Sequence, residues 1–191
     1  TREWYRFFFN LFNIAGGGQA NSAASSSFGQ DLAPAYTPQM SDHRYGSFYD
    51  TTTQSAAAIN TAYPITLNST ALTNGAYIGS PTSRVYVDRI GTYNFQFSLQ
   101  LQKSSATAKQ VYIWYRVNGV DAANSATQVT LQGSNAAAVA AWNFVVPMNA
   151  GDYFELVWST DDTGCQIVSI ASSSPVPAIP SVILTVTNNI N

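Results

Sequence analysis

The residue types that most often carry catalysis are scarce in this sequence. His43 is the only histidine and Cys165 the only cysteine among 191 residues. A serine–histidine–aspartate triad would have to use His43, yet the Gly-x-Ser-x-Gly motif that presents a nucleophilic serine is absent. His43 lies between Asp42 and Arg44, which favours a salt-bridged or exposed side chain. The sequence therefore predicts no enzyme, with no catalytic residue and no cofactor.

Metal binding is equally poorly supported by the residue types. One cysteine and one histidine cannot supply the usual ligands of a zinc site, and Cys165 is predicted to be a buried structural thiol. Asp161-Asp162-Thr163-Gly164 could place oxygen ligands around a calcium ion, but the simpler interpretation is a polar hairpin turn. Asn68-Ser69-Thr70 matches a glycosylation sequon, which we also interpret as a turn. We predict no metal site.

Aromatic side chains offer a different chemistry, because an aromatic ring can stack on the apolar face of a sugar. Tyr112, Trp114 and Trp158 are the candidates for such a role. Burial in the core or in a subunit interface explains the same residues, and the pattern favours burial.

The charge content excludes two classes of function. Only 9% of the residues are charged, the net charge is −2, and the eight cationic residues are scattered. Nucleic-acid binding needs clustered positive charge, so we expect no nucleic-acid partner. No apolar run approaches the roughly 20 residues of a membrane span, so we expect no membrane insertion.

The chain begins with an aromatic segment, residues 1–15. Trp4, Phe8, Leu11 and Phe12 fall on one face of a helix, with Tyr5 beside them. A strand is the alternative, since aromatic residues also favour sheets. A helix this short is marginal alone, so its aromatic face must dock either on a partner or on its own domain. Residues 16–44, rich in Gly, Ser and Ala and then Pro, are predicted to be a flexible, extended linker.

From residue 45 onward the pattern is that of β-strands. In residues 91–102, five apolar side chains from Tyr93 to Leu101 alternate with polar ones, which buries one face of a strand. Residues 110–117 are apolar on both faces and end in the Asn118-Gly119 turn signal. The predicted strands are 45–50, 62–67, 84–87, 91–102, 110–117, 126–132, 139–146, 152–160, 165–171 and 181–188. This spacing, without helical periodicity between strands, predicts an all-β antiparallel sandwich over residues 45–191.

The order of motifs in residues 45–188 resembles the C1q/TNF-like jelly roll. A Gly91-x-Tyr93-x-Phe95 strand precedes a Val-x-Ile strand ending in Val117-Asn118-Gly119. Then come Trp142-Asn143-Phe144, the Gly151-Asp152-Tyr153 turn and the final strand Val182–Val186. The resemblance implies a jelly-roll sandwich and a homotrimer. A subunit interface could cover the doubly apolar strands, and the residues expected there are Tyr112, Trp114, Trp158 and Ile183.

The segment Arg2–Phe8, followed by a Gly-rich stretch, resembles the start of small structural proteins of tailed bacteriophages. That resemblance implies a virion protein, a trimeric decoration or fibre protein on the head or tail. Trp4, Tyr5, Phe8, Leu11 and Phe12 would then anchor it to another capsid or tail protein. The alternative function is a receptor- or glycan-binding adhesin tip that contacts a host surface glycan.

Overall fold

The computed structural model describes residues 43–189, and these residues form strands and loops only. None of them belongs to a helix that is long and apolar enough to cross a membrane. The helix predicted in residues 1–15, its anchoring residues and most of the linker lie outside the described residues. The strands are β1 (Tyr45–Asp50), β2 (Gln54–Ser55), β3 (Tyr63–Pro64), β4 (Ser69–Asn74), β5 (Ala76–Ile78), β6 (Val85–Val87), β7 (Gly91–Lys103), β8 (Lys109–Val117), β9 (Val120–Asp121), β10 (Thr127–Leu131), β11 (Ala137–Met148), β12 (Tyr153–Thr160), β13 (Cys165–Ile167) and β14 (Val182–Asn189).

Two antiparallel sheets of seven strands each make up the sandwich. In sheet A, β11 pairs along nearly the whole of β7. On the other side of β7, β14 pairs with residues 92–99 and β13 with residues 101–103. β1 pairs with β14, β4 pairs with β1, and β2 pairs with β13. Sheet B runs β5-β6-β12-β8-β10, with β3 beside β12 and β9 beside β8.

Both sheets mix early and late strands of the chain, because the connections cross from one sheet to the other. β7 lies in sheet A, β8 and β10 in sheet B, β11 in sheet A, β12 in sheet B and β14 in sheet A. Such crossing is the connectivity of a jelly roll. The prediction of an all-β antiparallel sandwich is confirmed.

The core forms where the inward faces of the two sheets meet. The alternation predicted in β7 is observed, with Tyr93, Phe95 and Phe97 buried between exposed or half-buried polar neighbours. The ring of Phe95 stacks on that of Phe154 in β12, with centroids 4.0 Å apart. This contact joins β7 of sheet A to β12 of sheet B. A side chain of this size contributes about 3–5 kcal/mol when buried in such a core.

A buried carboxylate fixes the loop that follows β1. Asp50 is only 1% exposed. Its Oδ1 accepts hydrogen bonds from the Thr52 backbone N–H at 2.7 Å, the Thr52 hydroxyl at 2.5 Å and the Asn68 amide at 3.0 Å. Its Oδ2 accepts one from the Thr66 hydroxyl at 3.0 Å. Four donors satisfy one buried charge, so residues 51–68 are held against the end of sheet A.

Several strand predictions need correction. The strand expected at 62–67 is only Tyr63–Pro64. One further backbone hydrogen bond joins Ile65 to Leu156 of β12, and Leu67 then bonds to Thr82 instead. The strand expected at 165–171 ends at Ile167, and the chain then leaves the sheet. Four strands were not predicted, and these are β2, β4, β5 and β9. They are short or rich in Ser, Thr and Ala, so neither periodicity nor strand propensity marks them.

Candidate functional site

Among the predicted chemical candidates, Cys165 adjoins the Asp161–Asp162 turn, where its backbone N–H donates to the Asp162 carbonyl at 2.9 Å. Residues 43–189 hold no group of three or more His, Cys, Asp or Glu side chains that could bind a metal ion. His43 is half-buried at the start of the described chain, where its backbone carbonyl accepts a hydrogen bond from Asn74. Cys165 is a free and buried thiol, as predicted. Burial raises the pKa of Cys165 above its ordinary value, which keeps the thiol protonated.

The two adjacent aspartates organise a turn. Asp161 Oδ1 accepts a hydrogen bond from the Gln110 backbone N–H at 2.8 Å. Asp162 Oδ1 accepts one from the Gly164 backbone N–H at 2.7 Å, and its Oδ2 lies 3.3 Å from Lys109 Nζ. These contacts lower the pKa of Asp162, the backbone hydrogen bond from Gly164 having the largest effect. The geometry supports a polar turn, but the turn is not a hairpin, because β12 lies in sheet B and β13 lies in sheet A.

The outer face of sheet A has an unusual composition. Its strands carry only two charged residues, Asp50 and Lys103, and both are buried at 1% exposure. We call the outward-facing residues of β1, β7, β11 and β14 the uncharged face. The residues that carry this face are Tyr45, Ser47, Tyr49, Thr92, Asn94, Gln96, Ser98, Gln100, Gln102, Ala137, Val139, Ala141, Asn143, Val145, Pro147, Ile183, Thr185 and Thr187. Ile183, predicted at a subunit interface, lies on it and is 40% exposed.

The uncharged face ends at strand β11, which pairs with β7 alone among the described strands. Beyond this edge the core itself comes near the surface. Trp142 and Phe144 point inward from β11 but stay half-buried, since β11 lies at the edge of the sandwich. Their rings contact Phe97 and Tyr115, with centroid distances of 4.7 Å for Trp142–Phe97 and for Phe144–Tyr115. We call β11 with Trp142 and Phe144 the open edge.

The outer face of sheet B holds two of the predicted aromatic candidates. Tyr112 and Trp114 in β8 point outward and are half-buried. The indole N–H of Trp114 donates a hydrogen bond to Asp121 at 2.7 Å. Trp158 differs from both, because it points inward from β12 and is 1% exposed in the core of one subunit. Trp158 was predicted to lie at a subunit interface, and its burial in the core corrects that prediction. The outward position opposite Trp114 belongs to the neighbouring residue, Val157.

A second aromatic group on the same face was not predicted. Tyr77, Tyr86 and Tyr153 occupy neighbouring positions on β5, β6 and β12. Their ring centroids are 5.6 Å apart for Tyr77–Tyr86 and 5.2 Å apart for Tyr86–Tyr153. We call these three residues the tyrosine ladder. The pairing register of the three strands brings these residues together, and no sequence motif predicts that register.

An ion pair lies beside the tyrosine ladder. The Arg84 guanidinium is 4.4 Å from the centroid of the Tyr153 ring, within the range of a cation–π contact. Arg84 Nε is 3.4 Å from the Glu155 carboxylate, which also accepts a hydrogen bond from the Ser83 hydroxyl at 2.8 Å. The Glu155 side chain is 6% exposed and that of Arg84 is 32% exposed. Arg84 is therefore the member of the ion pair that is accessible to solvent.

Comparison with known proteins gives little beyond the architecture. No family model matches the sequence, and no curated protein does. Similar solved structures include the crystal structures of murine APRIL at pH 8.0, 8.5 and 5.0. Each is 13% identical to this chain and covers 78% of it and 100% of its own length, with TM-scores of 0.46, 0.47 and 0.47 respectively.

Proposed function

We propose that this chain is a non-catalytic structural protein that assembles as a homotrimer in the virion of a tailed bacteriophage. It would serve as a head decoration or fibre protein, with a C1q/TNF-like jelly roll exposed on the particle. Residues 1–15 would attach it to a capsid or tail protein. The observation that carries the self-association is the uncharged face.

The uncharged face suits burial against a second protein surface. Charged residues are depleted from the buried centres of protein interfaces, because removing a charge from water is costly. Here Thr, Ser, Asn and Gln hydroxyl and amide groups replace charges, and Val139, Val145 and Ile183 are 62%, 55% and 40% exposed. Neutral polar groups can exchange water for partner groups at a much lower cost than ions.

A ring of three subunits needs two different patches on each subunit, because a three-fold axis makes heterologous contacts. The uncharged face and the open edge are two such patches. At the open edge the Trp142 Nε1 is shielded from solvent and has no acceptor among the described residues. A carbonyl or side-chain oxygen of a neighbouring subunit would supply that acceptor, while further apolar contact would complete the burial of Phe144.

Light scattering coupled to size-exclusion chromatography tests the assembly on the full chain. We expect ~62 kDa, three times the mass of the 20.6 kDa chain. Ile183→Lys should shift the mass toward the monomer, since it places an unpaired charge in the contact. Val120→Lys is the matched control, because Val120 is a branched apolar residue that is 71% exposed on β9 of sheet B. A monomeric parent chain, or equal dissociation of both variants, would contradict the proposal.

Attachment to the particle rests on the aromatic sequence of residues 1–15, which lies outside the described residues. Deleting this segment should abolish incorporation into purified virions, as measured by mass spectrometry, while the deleted chain keeps its oligomeric mass. Full incorporation of the deleted chain would refute the anchor. Electron microscopy of antibody-labelled particles would then distinguish a head from a tail position.

Host attachment is the second candidate function. The observation that favours it is the aromatic outer face of sheet B, where Tyr112, Trp114 and the tyrosine ladder all lie. The two functions are compatible, since assembly would use sheet A and recognition would use sheet B.

A further inference from the structure

The tyrosine ladder differs in three ways from an incidental cluster of surface aromatics. Its rings are in mutual contact, they are held in fixed positions, and an ion pair stands beside them. Tyr77, the outermost ring, is 48% exposed, whereas Tyr86 and Tyr153 are half-buried. The exposed ring of Tyr77 is therefore supported by two tyrosine rings that are already partly buried.

The position of Tyr86 is set by the backbone beneath it. A Cβ added to Gly79 would lie 2.3 Å from a carbon of the Tyr86 ring, so the ring occupies the space that a side chain would take there. On the other side, Tyr153 is held by the Arg84 guanidinium at 4.4 Å. Its backbone N–H also donates to Asn118 Oδ1 at 3.0 Å. A surface whose rings are immobilised beforehand loses little entropy when a ligand binds.

The polar groups beside the ladder are suited to hydroxyl groups. Arg84 has five N–H donors, more than its contacts with Glu155 and Tyr86 require. The buried Glu155 carboxylate holds the guanidinium in place and is itself fixed by a hydrogen bond from the Ser83 hydroxyl. Ligand sites commonly combine apolar and aromatic surface with a few fixed polar groups, and this face has that composition.

The charge of the site selects among sugars. Arg84 and Glu155 cancel each other. Arg116 lies opposite Glu155 on β8, but it is paired with Asp121 at 2.5 Å, and the carboxylate of Asp152 accepts a hydrogen bond from Asn118 at 2.8 Å. An acidic sugar would meet no uncompensated cation. A neutral pyranose can instead place its C–H face on an aromatic ring and its hydroxyl groups toward the arginine.

We propose that the tyrosine ladder, with Arg84, is a binding platform for a neutral hexopyranose of a surface polysaccharide. The inference deepens the second candidate function, and it does not depend on the assembly through sheet A. It places recognition on β5, β6 and β12 rather than on Tyr112, Trp114 or Trp158, the residues suggested by the sequence.

Saturation-transfer NMR on the full chain tests the platform. The probes are methyl β-D-galactopyranoside, methyl β-D-glucopyranoside, N-acetylneuraminic acid and a decaproline peptide. We expect transfer to at least one neutral pyranoside and none to the acidic sugar. Tyr77→Ala should weaken that binding by about fivefold, the factor that corresponds to loss of one aromatic contact. Ile59→Ala is the control, because Ile59 is a large apolar side chain that is 51% exposed in the loop between β2 and β3, outside both proposed surfaces.

Three results would overturn the platform. The first is no transfer to either pyranoside, which would leave the ladder with a purely structural role. The second is preferential binding of the acidic sugar or of the proline peptide. The third is equal weakening by Tyr77→Ala and Ile59→Ala. Light scattering on the same samples reports the oligomeric mass separately, so failure of the platform and failure of the trimer are distinguishable.

Discussion

Replacing Asp50 by alanine should destabilise the sandwich more than any substitution of an exposed carboxylate. The side chain is 1% exposed and accepts four hydrogen bonds from Thr52, Thr66 and Asn68. Hydrogen bonds to a charged group contribute about 1.5–3 kcal/mol each, but neighbouring bonds are not additive, and burying the carboxylate offsets part of the gain. We expect a loss of about 3–5 kcal/mol for Asp50→Ala, because the donors are left unpaired. For a domain of this size that corresponds to a fall in Tm of about 10–15 °C.

Thermal and urea unfolding measured side by side would test this expectation. Asp121→Ala is the control, since Asp121 also accepts from two side chains but is 58% exposed. Its loss should cost less than about 1 kcal/mol. Asp50→Asn should fall between the two, because the amide keeps an acceptor oxygen and loses the charge. Equal stability of Asp50→Ala and Asp121→Ala would refute the view that buried hydrogen bonds hold residues 51–68.

Two further predictions concern the turn at Asp162 and the buried thiol. The lowered pKa of Asp162 stabilises the fold above the ordinary aspartate pKa of 3.8 and ceases to do so as the pH falls below it. Asp162→Asn should therefore reduce Tm at pH 7 and reduce it progressively less as the pH falls below 3.8 toward the lowered pKa, and a pH-independent difference would contradict the mechanism. Cys165 is fully buried with a raised pKa, so native protein should not react with a thiol reagent at pH 8 until urea unfolds it. Rapid labelling of the native chain would show that the thiol is accessible.

A strand could be predicted from the sequence only where apolar and polar residues alternate strictly along it. In β7, every inward residue from Tyr93 to Leu101 is apolar, and the strand was predicted to within one residue. β4 and β5 lack that pattern and were missed. The Asn74-Gly75 pair between them matches a hairpin signal, yet β4 pairs with β1 in sheet A and β5 with β6 in sheet B. Gly75 has φ of +70°, so the local turn chemistry is present while the chain changes sheets. Sheet membership is decided by long-range packing.

The candidate site shows the same limit at the level of single residues. Trp114 and Trp158 look alike in sequence, each within a strand that is apolar on both faces. The register pairs Trp114 with Val157, which leaves Trp158 on the opposite side of the sheet. A difference of one residue thus separates an outer-face side chain from a core side chain. The tyrosine ladder was invisible for a related reason, because its members come from three strands and meet only when their registers are set.

The distribution of charge connects these observations to function. Only 9% of the residues are charged, and composition alone could not place these few charged side chains on one sheet or the other. The strands of sheet B hold Lys109, Arg116, Asp121 and Glu155, whereas those of sheet A hold no outward charge. If the surface were uniformly polar, charged side chains would lie on the outer faces of both sheets. Because they lie on one sheet, the two outer faces differ in the partners that they can accept. Sheet A suits an extended neutral contact with identical subunits, and sheet B retains the fixed ionic and aromatic groups with which a small polar ligand can be recognised.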